Sequence, residues 1–241
     1  MNTLDAVHLS DDDGMTRNMK LNQFKKQFLG FTINANSCKI LNEDDIILRY
    51  FEEEKQLTAS SRKPILIRNK NLRYLIAFDL NEFKIDYAHV DIENNRLHPK
   101  LILYSGTSRY ENLDGSDKKR ILKNREQSYK GSSLHFMRAL ANNKLKEENY
   151  VILKKGYAVN AGDYFFVTYN PNTRSATVKL KEPVGILYDK KQSSLECKAE
   201  TFDIDQFGNH TQIDKVIFGG FMGTQRLADS VPLDYNINKS K

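Results

Sequence analysis

The sequence has no tryptophan and only two cysteines, Cys38 and Cys197, in 241 residues. Two cysteines in a chain this long make no disulfide scaffold. Free thiols are the simpler expectation, with a single bridge left open. Neither sits in a Cys-x-x-Cys pair, so no zinc or thioredoxin-type motif is signalled. The histidines, His8, His89, His98, His135 and His210, show no His-x3-His spacing, and no metal or other cofactor is expected. His89 and His98 could meet across a hairpin, although exposed strand histidines are the ordinary case. No apolar run approaches the ~20 residues of a membrane span. The opening MNTLDAVHLSDDDG lacks the cationic and apolar stretches of an export signal. Taken as complete, the chain would be cytoplasmic. The DDDG run invites a calcium reading, but aligning Gly14 with the loop glycine puts Leu9 at the first ligand position. Lys20 then stands where the bidentate glutamate belongs, so the motif fails.

What is present is aromatic and basic. Thirteen phenylalanines and twelve tyrosines can bury enough area to offset chain entropy, which excludes wholesale disorder. The formal net charge is +6, and the pI is about 9.1. That keeps an anionic partner in play. Acidic residues are interspersed throughout, however, and nucleic acid is not the expected partner.

Leu21, Phe24 and Phe28 follow helical spacing, with Gly30 at the C-cap, so residues 17–29 are predicted as a short amphipathic helix. Asn42 is a candidate N-cap. DIILRYF, KPILIRN, LRYLIAFDL, EFKIDYAHVDI and PKLILYSGT then read as strands separated by turn clusters such as NKN and ENN. A helical block follows at about 116–145. Gly131-Ser132-Ser133 divides it, with Ser132 or Ser133 capping the second piece. Strands return after Asn149, and NPNTR and QFGNH are expected hairpin turns. The order strands, helices, strands predicts an α+β fold dominated by antiparallel sheet. It is expected as one domain over 17–235, between a flexible linker at 1–16 and a tail at 236–241.

Several phrases stand in fixed order: Asn36-Ser37-Cys38, Pro64-Ile65-x-Ile67-x-Asn69, and Tyr104-x-Gly106. Then come Asn124-Arg125-x3-Tyr129-x-Gly131-Ser132-x2-His135-Phe136-x-Arg138 and Arg226-Leu227-Ala228-Asp229. On these residues the chain resembles the C-terminal region of carboxypeptidase-regulatory-like-domain proteins of Bacteroides-type cell envelopes. Arg73 stands where that family usually has glycine. The resemblance implies an exported protein, periplasmic or outer-membrane-associated, and implies no peptidase activity.

Asn124, Arg125, Tyr129, Ser132, His135 and Arg138 form the candidate site. They are either a polar seam holding the fold together or a ligand surface, in which case the arginines suit carboxylate, phosphate or sugar-acid groups. Arg125, Tyr129, Ser132 and Phe136 share a face if the helix is continuous. Cys38 as nucleophile with His135 as base, oriented by Asn34 or Asn36, gives an alternative hydrolase reading. No glycine-rich oxyanion signature surrounds Cys38. Carboxylate pairs for glycoside hydrolysis are always available among 31 acidic residues, and the spacing that would matter is not legible in sequence. Lys118, Lys119, Arg120, Lys123 and Arg125, in the basic stretch 117–125, could instead bind an anion or nucleic acid. The leading expectation is a non-catalytic envelope module that binds or scaffolds an unknown protein or glycan.

Overall fold

A computed structural model describes residues 14–235. Of the expected linker only residues 14–16 are among them, and the expected tail and His8 lie outside the described residues. The chain is α+β, with mostly antiparallel sheet. In chain order, α1 (Arg17–Leu29) and α2 (Ile33–Asn36) precede β1 (Cys38–Ile40), β2 (Ile46–Phe51), β3 (Gln56–Ser61) and β4 (Ile65–Asn69). Two long strands follow, β5 (Tyr74–Asp91) and β6 (Arg96–Asn112), then α3 (Lys119–Tyr129) and α4 (Ser133–Ala141). Next come β7 (Tyr150–Lys154), β8 (Tyr157–Val159), β9 (Phe165–Asn170) and β10 (Ser175–Leu180). The last elements are β11 (Val184–Tyr188), β12 (Lys191–Cys197), β13 (Phe202–Ile204), β14 (Val216–Gly219) and α5 (Gly220–Thr224).

Two compact units share this chain, each built from discontinuous stretches. Among the described residues, one holds 14–28, 40–67 and 77–108; the other holds 29–39, 68–76 and 109–235. The first contains α1 and most of a six-stranded sheet, ordered β1-β4-β5-β3-β2 with β6 beside β5. α1 falls on the predicted residues. Phe24 and Phe28 are fully buried, with ring centroids 4.9 Å apart, and Phe24 meets Phe83 at 4.7 Å. Gly30, at φ +100, ends the helix in the left-handed conformation that glycine adopts without steric cost. Arg17 fixes the other end through the carbonyls of Ile46 and Glu43, at 3.1 and 3.0 Å. Asn42 occupies the N-cap position of the 3-10 turn at 43–45 but makes no cap bond. Its amide instead donates to Pro64 O at 3.0 Å and accepts from Leu66 N at 2.8 Å.

LRYLIAFDL and EFKIDYAHVDI, expected as two strands, are one strand, β5. The large buried side chains are even-numbered at Tyr74, Ile76 and Phe78 and odd-numbered at Phe83, Ile85 and Tyr87, with the small Ala77 buried between them. A change of parity inside one strand marks a local irregularity rather than a chain reversal.

The second unit contains a three-stranded sheet, β13-β10-β9, and a five-stranded one, β14-β12-β11-β7-β8. The helical block is divided where glycine and serine divide it in sequence. Ser132 caps α4 by accepting from His135 N at 3.1 Å. A Cβ on Gly131, at φ +77, would lie 2.7 Å from the Tyr188 ring, so both conformation and space require glycine there. Phe136, Met137 and Leu140 of α4 enter a core with Ile152, Phe165, Val178, Ile186 and Phe202. Leu134, on the same helix, is only partly buried.

NPNTR forms the predicted hairpin, with Ser175 opposite Asn170. QFGNH does turn, but its flanking strands do not pair as expected beyond an Ile204–His210 bridge. β13 pairs with β10, and β14 pairs with β12 in the other sheet. A second tight turn, with Lys215 N donating to Gln212 O at 2.8 Å, redirects the chain between them.

Candidate functional site

Arg125 lies on the inward face of α3 with Ile121, Ser128 and Tyr129, and is 7% exposed. Its Nε donates to Leu72 O at 2.8 Å, and its Nη2 donates to Arg73 O at 3.0 Å and Asn112 Oδ1 at 2.9 Å. The guanidinium lies 3.7 Å over the Tyr74 ring. Burial holds the Arg125 pKa below the usual guanidinium range, opposed by the Tyr74 hydroxyl. Asn124 grips the same turn, donating to Asn71 O at 3.0 Å and Asn71 Oδ1 at 2.9 Å. The turn is held through carbonyls, which any residue supplies. This explains how Arg73 is accommodated at φ +54, a conformation that costs a non-glycine residue about 1–2 kcal/mol.

Asparagines extend this network. Asn71 donates to Asn34 Oδ1. Asn34 donates to Ser128 Oγ and Asp229 Oδ1, both at 2.9 Å. Thr32 Oγ1 donates to the same Asp229 oxygen at 2.7 Å, and Asn69 Nδ2 reaches Ala228 O at 2.9 Å. Sequence reasoning missed Asn71, Asn112 and Ser128 as members. Asn34 had been considered only beside Cys38. Asn69 and Asp229 stood in the ordered phrases, where a signal for them existed.

The second cluster surrounds α4. The helix break at 130–132 means that Arg125, Tyr129, Ser132 and Phe136 do not share one continuous helical face. His135, the base of the hydrolase alternative, is 4% exposed. Its ring is enclosed by those of Tyr129, Tyr150 and Tyr188, with centroids at 4.8, 5.2 and 5.4 Å. Gly131 N at 3.1 Å and the Tyr150 hydroxyl at 2.9 Å both approach His135 Nδ1. Glu148 Oε2 lies 3.1 Å from Nε2. The consistent assignment is a neutral ring that accepts at Nδ1 and donates from Nε2. Burial lowers the His135 pKa, against the opposing pull of Glu148. Arg138 donates to Phe207 O and Tyr235 O, each at 2.8 Å, to Tyr129 Oη at 3.2 Å, and to Leu233 O. It straps residues 233–235 onto α4.

Cys38 is a free, partly buried thiol. Burial, aided by the Asp229 charge, pushes it up to about 12. At neutral pH it is a thiol and not the thiolate that attacks carbonyls. His135 has Gly131, Glu148 and Tyr150 as polar partners, while Asn34 binds Ser128 and Asp229. The Cys38, His135 and Asn34 set is therefore not assembled as a catalytic group. The rings of His89 and His98 do meet, with centroids 5.9 Å apart. Among the described residues no three His, Cys, Asp or Glu converge as metal ligands.

Two concavities lie in the second unit, the first beside the turn that Arg125 holds. A cleft of about 420 Å³ is lined by Arg68, Lys70, Arg73, Leu113, Asp114 and Arg120. A groove of about 450 Å³ runs between the end of α4, at Ala141 to Asn143, and Phe165, Val167 and Tyr169 of β9.

No family model matches the chain, and no solved structure matches it. It is similar to the putative histone-lysine N-methyltransferase 1 of Plasmodium falciparum, at 23% identity over 211 residues. The aligned stretch is 85% of this chain and 3% of that protein. A match to so small a part of that protein lends this chain no activity.

Proposed function

We propose that the chain is a non-catalytic module that binds or scaffolds a protein or glycan partner in a cell-envelope setting. One observation carries the reading: the reactive-looking side chains are already engaged internally. Arg125 and Arg138 donate to backbone carbonyls, His135 Nδ1 faces two donors, and Cys38 is held as a thiol. A general base needs a free lone pair, and a thiol nucleophile needs to ionise. Exposed apolar side chains also support partner binding. Tyr157, Phe166 and Tyr169 are 78%, 53% and 58% exposed, on strands that end their sheets. The envelope setting rests on the family resemblance alone, and fractionation of the native protein tests it.

The functional test pairs activity with binding. Hydrolase substrates and thiol-directed activity probes are expected to give no turnover that depends on Cys38 or His135. Retention on peptide and glycan arrays is expected to fall in Tyr169→Glu and to persist in Cys38→Ala. Turnover that disappears in Cys38→Ala would overturn the reading and restore the hydrolase alternative.

A further inference from the structure

The cations that the sequence made conspicuous, Arg125 and Arg138, are occupied; those lining the 420 Å³ cleft are not. Among the described residues, Arg68, Lys70, Arg73 and Arg120 form no ion pair or side-chain hydrogen bond. They come from the end of β4 (Arg68), the β4–β5 turn (Lys70, Arg73) and the start of α3 (Arg120), and line one cleft with a single carboxylate, Asp114. Four cations beside one carboxylate leave the cleft net positive, and a cleft lined by one sign of charge concentrates ligands of the other.

Two further features sharpen this. Lys118 stands at the N-cap position of α3 without a side-chain cap bond, Lys119 and Arg120 follow, and the first turn contains no acidic residue. Cations at the positive end of a helix dipole oppose the favourable arrangement, and an anion placed there reverses the sign. Arg73 holds φ +54 in a turn where glycine or asparagine would sit at lower cost. Its carbonyl, bound by Arg125, is independent of its identity. The arginine side chain is therefore the part of this residue that the turn does not need, and it lines the cleft.

We propose that this cleft binds a phosphomonoester carried by a small, sugar-sized molecule. Three guanidinium groups and one ammonium suit a dianionic group with several acceptor oxygens. The volume matches that of small-molecule sites, and Leu113 gives the remainder of the ligand an apolar contact. This goes beyond the binding-module reading, which rests on how the seam is engaged.

The test is isothermal titration of the full chain with glucose 6-phosphate, and with glucose as the uncharged control, at constant ionic strength. Saturable binding of the phosphate ester alone is expected. Arg120→Gln and Arg73→Gly should each weaken it about tenfold. Glycine at position 73 accepts the turn's φ, so that variant keeps its fold while losing the cation. Lys26→Gln, on α1 in the first unit, should bind as the parent does. No saturation by about 10 mM ester, or equal binding in every variant, overturns the proposal. So does preferential binding of a single-stranded oligonucleotide without terminal phosphates, which would make the cleft a phosphodiester track.

Discussion

Replacing Arg125 by methionine tests whether the seam is structural. The substitution keeps the bulk of the aliphatic stem and removes the donors. Leu72 O, in a fully buried residue, loses the Arg125 Nε donor, and an unsatisfied buried carbonyl costs about 1–3 kcal/mol. Arg73 O keeps Leu113 N at 3.0 Å, so its loss is small. The Asn112 bond, at a partly open site, contributes about 1 kcal/mol. The contact with Tyr74 at 3.7 Å adds about 1 kcal/mol. Relief from burying a guanidinium without a carboxylate partner offsets part of this. The net expectation is a loss of about 3 kcal/mol, a large share of the 5–15 kcal/mol typical of whole domains. Urea unfolding followed by tyrosine fluorescence would show the midpoint moving by about 1 M. Amide exchange should quicken at residues 69–75. Lys123→Met, on the exposed side of α3, should stay within about 0.5 kcal/mol of the parent. If Arg125→Met shifts stability no more than that control and leaves exchange unchanged, the seam does not hold the turn.

Gly131→Ala should cost about 2–4 kcal/mol in thermal unfolding, because φ +77 and the 2.7 Å approach to Tyr188 act together. A change below 1 kcal/mol, by the same standard, would show that the ring moves freely. Iodoacetamide at mildly alkaline pH should label Cys197 well before Cys38, whose pKa rise from 9.0 to about 12 cuts its thiolate fraction about a thousandfold; peptide mass spectrometry reads the ratio. His135 and His210 are both held below the ordinary histidine pKa by burial, so below about pH 6.5 the unfolded chain binds protons that the folded chain refuses. Stability should be level above about pH 7 and decline from pH 6.5 downward, by at most ~1.4 kcal/mol per unit for each histidine. Urea midpoints that do not change between about pH 7.5 and 5.5 would contradict that assignment.

What could be read from sequence was whatever is decided within one turn of chain. The limits of α1, the break at Gly131 and the Ser132 cap depend on spacing, a missing Cβ and a hydroxyl three residues from its donor. Strand β3 escaped because QLTASS has only Leu57 and Ala59 facing inward, too few apolar residues to signal a strand. The QFGNH pairing failed for a different reason. Its turn chemistry was sound, but partner choice for β13 was settled by β10, about 25 residues upstream in the chain. Arg125 was found, yet its role was not, because its acceptors are carbonyls 52 and 53 positions away and carbonyls leave no mark in a sequence.

The same logic explains why the candidate site and the unpaired cations exchanged places. In a sequence, an arginine among aromatic residues at helical spacing looks functional because it is chemically unusual there. In the fold, that setting is where a guanidinium becomes a bracket: aromatic neighbours exclude water, and each backbone carbonyl then depends on a fixed donor. Arg120, five residues before Arg125, is in sequence only one cation of the basic stretch 117–125, an alternative anion or nucleic-acid binder with no partner in view. Only the fold reveals Arg68, Lys70 and Arg73 beside it, because that neighbourhood depends on where the β4–β5 turn is held. Arg125 holds it. The prediction that follows couples the two sites in one direction. Arg125→Met should loosen the turn and weaken glucose 6-phosphate binding, whereas Arg120→Gln should weaken binding and leave the urea midpoint within about 0.5 kcal/mol of the parent. Full-strength binding by a folded Arg125→Met variant would separate the cleft from the seam and refute the coupling.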